Sequence, residues 1–407
     1  MPAEPTPSAA KPVIVQVFGR TDVGRMREHN EDAFVVADLT RGNATLQPEV
    51  RQHVVGDRGT LFMVADGMGG AAAGEIASAM AIEAVLREIS EALSTGEAPS
   101  DATFATSVKR ATGAANAEIH GFALEHPEFR GMGTTATVAG VLADSVYLAQ
   151  VGDSRAYLVR DGVARQITKD QSLMQKLVEA GELTEEEAEQ SERRNIILQA
   201  LGPEPTIKVD LTRQQLRRGD QLVLCSDGLS GQVRSDEIAR VVTEEKDLMA
   251  ACKRLIDRAN DAGGPDNITV IVVRFDGEGL EPAAADDDVG HRVFPLTTDS
   301  GQTPAAEPPP AATVTTTGTV TTGSMPVLRR PTRELPPEAF VLTSTIPDDA
   351  ASKRRSRGTL IALLFLLAFL VASTWWVYRS AEQIVNTRQA PATAPTAATP
   401  APATPAP

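Results

Sequence analysis

Cysteine is scarce in this chain. Only two of its 407 residues are cysteines, Cys225 and Cys252, and they form no paired spacing. So few cysteines exclude a disulfide framework and are typical of a protein from a reducing compartment. A thiol nucleophile at Cys225 is also disfavoured, because no histidine is placed in the sequence to serve it.

Histidine and positive charge are in short supply as well. The chain carries 39 Lys and Arg against 54 Asp and Glu, a net charge of −15, which argues against a nucleic-acid-binding surface. No apolar stretch precedes Val13, so we expect no secretory signal at the start. The histidines show no spacing typical of a zinc site, and we expect each in a loop or on the surface: His29, His53, His120, His126 and His291.

Composition divides the chain into five parts. A polar, Pro-rich start (1–12) predicts disorder, and residues 13–276 alternate apolar strand-like runs with amphipathic helical stretches. Residues 277–358 are rich in Pro, Thr and Ala, which predicts a disordered linker that ends in a basic stretch. An apolar segment (359–378) and a low-complexity tail (379–407) follow.

The apolar segment TLIALLFLLAFLVASTWWVY has the length of a transmembrane helix. The basic run KRRSRG precedes it, which disfavours the alternative of a buried core helix. Positive charge marks the cytoplasmic side, so we expect a single-pass membrane protein whose folded domain is cytoplasmic and whose tail is extracytoplasmic.

Strand-like runs follow one another in groups within residues 13–276, and so do helical stretches. This grouping predicts an α+β fold of two stacked antiparallel β-sheets with helices on both outer faces, rather than a parallel βαβ sheet. We expect strands over 13–18, 33–37, 60–65, 134–142, 145–151, 156–160, 221–225 and 267–274. We expect helices over 72–93, 103–124, 173–180, 184–189, 235–242 and 247–261.

Four aspartates lie at edges of strand-like runs. They are Asp32 in REHNEDAF, Asp66 in VADGMGG, Asp227 in LCSDGLSG and Asp266 in GGPDNITV. Any single Asp-Gly pair is ordinary turn chemistry. Four carboxylates in one cleft, however, are more than a buried site tolerates without cations, so the set predicts a cluster of hard divalent metals.

Two other chemistries are disfavoured by the same motifs. VADGMGG is not a phosphate-binding P-loop, because no Gly-Lys-Ser/Thr follows it. Ser226 and Ser230 lack the G-x-S-x-G elbow of a serine hydrolase.

Six motifs, REHNEDA, VADGMGG, GMGTTAT, VGDSRAY, LCSDGLSG and GGPDNITV, occur in this order. In these motifs the chain resembles the metal-dependent type 2C serine/threonine protein phosphatases of bacteria, from about residue 19 to residue 275. The resemblance implies an α-β-β-α sandwich and a phosphatase catalytic domain over residues 13–276.

The resemblance also implies which residues hold metal. Asp66 would bridge two ions, with the carbonyl of Gly67 on one of them, and Asp227 and Asp266 would complete one site. All-oxygen ligands suit Mn²⁺ or Mg²⁺. Two such ions activate a water as hydroxide for in-line attack on phosphorus. Asp66 is therefore predicted as a catalytic residue.

The second metal site and the phosphate contact fall in REHNEDAF and the residues before it. The resemblance implies that Asp32 holds the second ion, with Glu31 acting through water. Arg27 stands where the family keeps its phosphate-gripping arginine, and a guanidinium fork suits that task. The resemblance thus implies that Arg27 is both a substrate-binding and a catalytic residue. Arg25 is close enough in sequence to compete for the role.

A third metal ion is an open question. Asp153 in VGDSRAY either caps a turn with Ser154 or shares a third ion with Asp227. Relatives often carry an acidic residue four positions after that aspartate, where this chain has Gly231. Relatives also often have histidine at the position of Gln171, a difference that we interpret as tuning.

The leading hypothesis is metal-dependent hydrolysis of phosphoserine and phosphothreonine in proteins, opposing membrane-associated Ser/Thr kinases. Its expected partners are phosphorylated proteins, such kinases and the membrane, with no nucleic acid and a monomeric catalytic domain. One alternative is a phosphatase of anti-sigma-factor antagonist proteins. Another is an inactive phosphatase-fold sensor or scaffold.

Overall fold

The structure is a computed structural model that describes residues 11–42, 52–69, 73–94, 96–191, 193–284 and 287–296. All of these belong to the first of two units into which the chain divides, Met1–Ser344. The predicted membrane segment (359–378), the tail and most of the linker lie outside the described residues. Within the described ranges, no helix is both long and apolar enough to cross a membrane.

The described ranges contain twelve strands and seven α-helices. The strands are β1 Ile14–Asp22, β2 Asp32–Asp38, β3 Gln52–Val54, β4 Thr60–Met68, β5 Gly133–Thr134, β6 Ala136–Leu142, β7 Ser145–Val151, β8 Arg155–Arg160, β9 Val163–Gln166, β10 Asp210–Gln215, β11 Gln221–Cys225 and β12 Ile268–Asp276. The helices are α1 Ala73–Leu93, α2 Asp101–Glu125, α3 Leu173–Glu179, α4 Glu185–Gln190, α5 Asp227–Ser230, α6 Ser235–Glu244 and α7 Leu248–Asp261.

The strands form two antiparallel sheets. The first has the order β3-β1-β12-β11-β8-β9, and the second has the order β10-β7-β6-β4-β2, with β5 paired to β4. Strands that are distant in sequence become neighbours: Ile14 pairs with Asp276 and Gln16 pairs with Arg274. The first and last long strands of the domain therefore lie side by side.

Each central strand is buried on both faces. Its successive side chains point alternately into the core between the sheets and into the core beneath the helices. In β4, Phe62 and Val64 enter the core between the sheets. Leu61 and Met63 enter the core under the helices. Because side chains of a strand alternate between its faces, this near-continuous apolar run belongs to a strand covered on both sides.

Helices complete the outer layers. α1 and α2 pack against the second sheet, and α6 and α7 pack near the first. α2 begins at an N-cap, where Ser100 accepts a hydrogen bond from the Thr103 backbone N–H at 3.2 Å. The described layers are helix, sheet, sheet, helix, so the predicted sheets and outer helices are confirmed.

Several details differ from the prediction. The predicted strand 134–142 is interrupted at Thr135, and the polar strand β10 and the short strands β3 and β9 were not predicted. His53 is not a surface residue: it lies in β3, is buried, and its Nε2 is 2.8 Å from the hydroxyl of Thr60. The Thr60 hydroxyl thus partners one ring nitrogen, whereas the buried Nδ1 has no hydrogen-bond partner among the described residues.

The residues that follow β12 also differ from expectation. Residues 277–284 and 287–296, assigned to the linker from composition, contact the domain. Leu280 is fully buried, the Phe294 backbone N–H donates to the Leu211 carbonyl at 2.8 Å, and Phe294 packs edge-on against Tyr147. We call residues 287–296 the C-terminal strap. The strap packs against and hydrogen-bonds to residues that lie far away in sequence. Composition does not reveal such contacts, so it assigned the strap to a linker.

Candidate active site

Asp32 and Asp66 meet through strand register. They are direct partners in the antiparallel pair of β2 and β4. Asp32 is buried, whereas Asp66 is partly accessible. Asp66 does not end its strand, because β4 continues to Met68. The two carboxylates lie on neighbouring strands of the second sheet, so neither can move far from the other.

Asp227 and Asp266 come from the first sheet. Asp227 is the first residue of α5, with one residue between it and the end of β11, and Asp266 lies shortly before β12. A Cβ on Gly228 would clash with the backbone carbonyl of Asn267. Glycine at position 228 therefore permits the close approach that brings the two aspartates together. Asp227 and Asp66 lie close enough for each to shift the pKa of the other, so the site joins both sheets.

Asp32 is held by two hydroxyls that we did not predict as site residues. Ser226 Oγ donates to Asp32 Oδ2 at 2.8 Å, and Thr269 Oγ1 donates to the same oxygen at 2.7 Å. Both hydroxyl groups are buried. Ser226 thus supports a carboxylate instead of acting as a nucleophile. Its place directly before Asp227 was the one available sequence signal.

Asn267 fixes the loop that carries Arg27. Its amide Nδ2 donates to the carbonyls of Val23 and His29 at 3.0 and 2.9 Å, and its Oδ1 accepts the Glu31 backbone N–H at 2.8 Å. Every polar atom of this side chain therefore ties the loop to the start of β12. The sequence placed Asn267 beside Asp266 but gave no sign of this role.

Arg27 lies at the mouth of the site. Its Nη2 is 2.8 Å from Asp266 Oδ2, and 48% of its side chain is exposed. Arg25, the other candidate for the phosphate contact, donates its backbone N–H to the Gly264 carbonyl at 2.8 Å. Met26 between them is 74% exposed. Of the two arginines, Arg27 is the one paired with a site carboxylate.

Glu31 and Gly67 join β2, β4 and α1 at the site. The Glu31 carbonyl accepts from the Gly67 N–H at 3.2 Å and from Ser78 Oγ on α1 at 2.7 Å. A Cβ on Gly67 would clash with the backbone of Gly74 and Glu31. Glycine at position 67 lets the start of α1 approach the strand that carries Asp66.

Asp153 lies in the turn between β7 and β8 and is 6% exposed. Its Oδ1 has no hydrogen-bond partner among the described residues. Side-chain capping of the turn was one of the two roles predicted for it. Ser154, the partner in that role, is linked to the site, because its Oγ is 2.8 Å from the hydroxyl of Thr135.

Burial and mutual repulsion disfavour the ionised carboxylates. Burial raises the pKa of Asp32 to about 7, even though Thr269 and Ser226 oppose the shift. Burial and the nearby Asp227 raise the pKa of Asp153 to about 8. Burial, followed by Asp32 and Asp227, raises the pKa of Asp66 well above its usual range. The site therefore concentrates negative charge that needs compensation.

The donor set fits hard divalent cations. Every side chain at the centre offers carboxylate oxygen, and buried Oδ1 atoms of both Asp32 and Asp153 lack hydrogen-bond partners within the described residues. No three His, Cys, Asp or Glu side chains of the described part are grouped tightly enough to ligate one ion by themselves. Mg²⁺-type ions keep several waters and need few protein ligands. A site whose carboxylates are widely spaced but still repel one another can therefore hold such ions.

The sequence profile of the protein phosphatase 2C family matches residues 41–269. The chain belongs to the protein phosphatase 2C family. By this membership it is a protein phosphatase, and the predicted enzyme class is confirmed. Asp66, Asp153, Asp227 and Asp266 lie inside the matched range, whereas Arg27 and its neighbours precede it.

Three relatives illustrate the similarity of this phosphatase to bacterial proteins. It is 38% identical over 259 residues to the serine/threonine phosphatase stp of Listeria monocytogenes, covering 63% of this chain and 94% of that protein. The Streptococcus agalactiae serine/threonine phosphatase structure has a TM-score of 0.56 and 33% identity, covering 64% of this chain and 99% of that one. The catalytic domain of PstP has a TM-score of 0.53 and 33% identity, covering 65% of this chain and 99% of that one.

The PstP structure is a complex with 2 manganese ions. The Mn²⁺ or Mg²⁺ predicted for this phosphatase agrees with that finding. The comparisons and the geometry thus support one site, built where the two sheets meet, with Arg27 at its entrance.

Proposed function

We propose that this phosphatase hydrolyses phosphoserine and phosphothreonine in proteins with the help of divalent Mn²⁺ or Mg²⁺. The observation that carries the proposal is the convergence of Asp32, Asp66, Asp227 and Asp266 from both sheets, with Arg27 paired to Asp266 at 2.8 Å. Four neighbouring carboxylates with the guanidinium of Arg27 at their rim are arranged for cation binding and for an anionic substrate.

The residues of the chain divide the work. Asp66 would serve both ions, and the Gly67 carbonyl would bind one of them. Asp227 and Asp266 would complete one site, and Asp32, with Glu31 acting through water, would complete the other. Retained waters would fill the remaining positions. When bound, the ions supply Lewis-acid activation of water and neutralise phosphate charge.

Arg27 would bind the phosphate. Its guanidinium group is half exposed and its Nη2 is fixed against Asp266, so other N–H groups remain to grip phosphate oxygens in a forked geometry. The Asn267 amide holds the surrounding loop, which limits the entropy lost when substrate binds. Arg27 thus orients the phosphate group and does not act as a general acid or base, because its guanidinium stays protonated.

The substrate class is tested by presenting three phosphorylated substrates to the full-length chain in Mn²⁺. A phosphothreonine peptide, a phosphotyrosine peptide and a serine-phosphorylated anti-sigma-factor antagonist would be compared by phosphate release. We expect the phosphothreonine peptide to be hydrolysed readily and the phosphotyrosine peptide poorly. A strong preference for the phosphorylated antagonist protein would instead favour the narrower alternative function. No release from any substrate would favour the inactive scaffold.

We infer, in addition, that the chain is tethered to the cytoplasmic face of a membrane and opposes membrane-associated Ser/Thr kinases. The support is the apolar run over residues 359–378 and the basic run before it. Alkaline extraction of membranes would test the tether. We expect the full-length chain to stay in the pellet and the variant with Leu364→Arg and Leu367→Arg to be released. Release of both proteins would contradict the tether.

A further inference from the structure

Gln171 is a buried amide that joins three parts of the domain. It is 7% exposed and lies between β9 and α3. Its backbone carbonyl accepts the Leu198 N–H at 2.7 Å, and the Leu173 N–H donates to the Ile196 carbonyl at 2.9 Å. These two bonds close the neck of the segment that contains α3 and α4.

Gln171 also holds Gly152 at both of its backbone polar groups. Its Oε1 accepts the Gly152 N–H at 3.1 Å, and its backbone N–H donates to the Gly152 carbonyl at 2.9 Å. Gly152 has a positive φ of 98°, and a Cβ there would lie 2.6 Å from Thr135 Cγ2. The backbone therefore takes a conformation that favours glycine, and Gln171 clamps it there.

The clamped turn leads directly to the site. Asp153 follows Gly152, and the next residue, Ser154, is 2.8 Å from Thr135 through their hydroxyl oxygens. Thr135 Oγ1 accepts the Asp66 backbone N–H at 3.0 Å. Hydrogen bonds and the short backbone stretch from Gly152 to Ser154 therefore connect the neck of the α3–α4 segment to Asp66.

The remaining bonds of Gln171 fix the orientation of its amide. Its Nε2 donates to the Lys208 carbonyl at 3.2 Å and to Asp210 Oδ2 at 3.1 Å, with the Gln150 carbonyl at 3.4 Å. These acceptors require an N–H donor on this side of the amide, while Gly152 requires an acceptor on the other side. An uncharged amide satisfies both sides at once, whereas a carboxylate offers acceptors only.

We propose that Gln171 is a positioning residue that fixes the Asp153 turn to the neck of the α3–α4 segment and thereby sets the affinity of the site for divalent cations. The inference rests on the proposed function. Gln171 has no role in the chemistry itself. It acts through Gly152, whose backbone sets the direction of the Asp153 carboxylate.

The test uses the full-length chain and two readouts: Mn²⁺ binding by calorimetry, and amide hydrogen exchange over residues 150–156. For Gln171→Met, which has a similar volume and no hydrogen bonds, we expect a Kd for Mn²⁺ raised about tenfold, the equivalent of one net hydrogen bond of about 1.4 kcal/mol. We also expect faster exchange in that turn. Gln175→Met is the matched control, because Gln175 donates at the surface to Glu179. We expect it to leave both readouts unchanged.

A second test exchanges the amide and the carboxylate between positions 171 and 210, so that the role of the Gln171 amide does not depend on one variant. Gln171→Glu places a carboxylate against Asp210 and should weaken Mn²⁺ binding as much as Gln171→Met does. Asp210→Asn restores an N–H donor, so the double variant should recover most of the affinity, whereas Asp210→Asn alone should change Kd less than twofold.

Two results would overturn the proposal. One is unchanged Mn²⁺ affinity in Gln171→Met while Asp153→Asn weakens binding, which would make Gln171 structural only. The other is the absence of recovery in the double variant. Failure of the proposed function would look different: the chain would bind Mn²⁺ and respond to Gln171→Met yet release no phosphate.

Discussion

At the scale of single residues, the clustered carboxylates that suit the site for cation binding also destabilise the fold when no cation is bound. Asp66 is surrounded by Asp32 and Asp227, and burial together with these charges raises its pKa. A raised pKa means that the folded state disfavours the ionised carboxylate. The protonated Asp66 carboxyl therefore favours the folded state fully below the ordinary pKa of aspartate, about 4. This contribution to the free energy of unfolding is lost as pH rises through the folded pKa.

Replacing Asp66 should therefore stabilise the fold when no metal is present. For Asp66→Asn in EDTA at pH 7.5, we expect the free energy of unfolding in urea to rise by about 0.5–2 kcal/mol, while phosphatase activity is lost. Asp257→Asn on α7 is the control, since Asp257 pairs at the surface with Lys253, and it should change stability by less than about 0.5 kcal/mol. A destabilised Asp66→Asn protein would contradict the electrostatic account.

Arg27 and Arg25 differ in what they contact, and kinetics should separate them. Arg27→Ala removes the guanidinium beside Asp266, so we expect kcat/KM for a phosphothreonine peptide to fall about 10²-fold. Arg27→Lys keeps the charge without the fork and should recover only part of this loss. Arg25→Ala should change kcat/KM less than about threefold, because alanine keeps the backbone bond to Gly264 and the exposed side chain lies outside the site contacts. Equal losses at both positions would argue against a specific phosphate contact.

The aspartates of the site were predictable from sequence because each sits in a short motif. Their supporting groups were not. Ser226 and Thr269 reach one oxygen of Asp32 only because β11 and β12 are neighbours in the first sheet. Motifs carry local chemistry, whereas such contacts depend on strand pairing that a single sequence does not reveal.

At the scale of elements, the C-terminal strap extends the domain beyond its last long strand. Arg217 donates to both oxygens of Asp287, Nε at 2.7 Å and Nη2 at 2.8 Å, and the Ala284 N–H donates to Asp287 Oδ2. These bonds, the arginine first, hold the pKa of Asp287 well below its usual range. The strap is therefore tied to the segment before β11 by an ionised carboxylate.

This tie predicts a defined acid sensitivity. A depressed pKa contributes stability above the unfolded value, about 4, and that contribution disappears as pH falls through the folded pKa. At pH 7 the wild-type protein should therefore melt at a higher temperature than Asp287→Asn. The difference should shrink steadily below about pH 4. Asp288→Asn, whose partner is the exposed Arg292, serves as a comparison with little effect. A gap that persists to pH 2 would refute the tie.

Periodicity predicted the apolar elements and missed the polar ones. β4, β7 and β12 are largely apolar, as a strand buried on both faces requires. β10, with the sequence DLTRQQ, has no such pattern because it lies at the edge of its sheet. Its identity as a strand depends on β7 and on the strap, which lie far away in sequence.

At the scale of the whole domain, the layered fold explains where the site forms. Asp32 and Asp66 belong to the second sheet, and Asp227 and Asp266 flank strands of the first. The sheets share the core that contains Phe62, Val64 and Leu224, so packing holds the two pairs of carboxylates together. Apolar burial thus supplies the free energy that keeps like charges close.

The central claim is that hydrolysis depends on cations held by these four aspartates. The most direct test is phosphate release from a phosphothreonine peptide by the full-length chain, titrated with Mn²⁺. We predict activity that rises with Mn²⁺, disappears in EDTA, returns when Mn²⁺ is added back, and is absent at all Mn²⁺ concentrations in Asp227→Asn. Release that persists in EDTA and in Asp227→Asn would contradict the account.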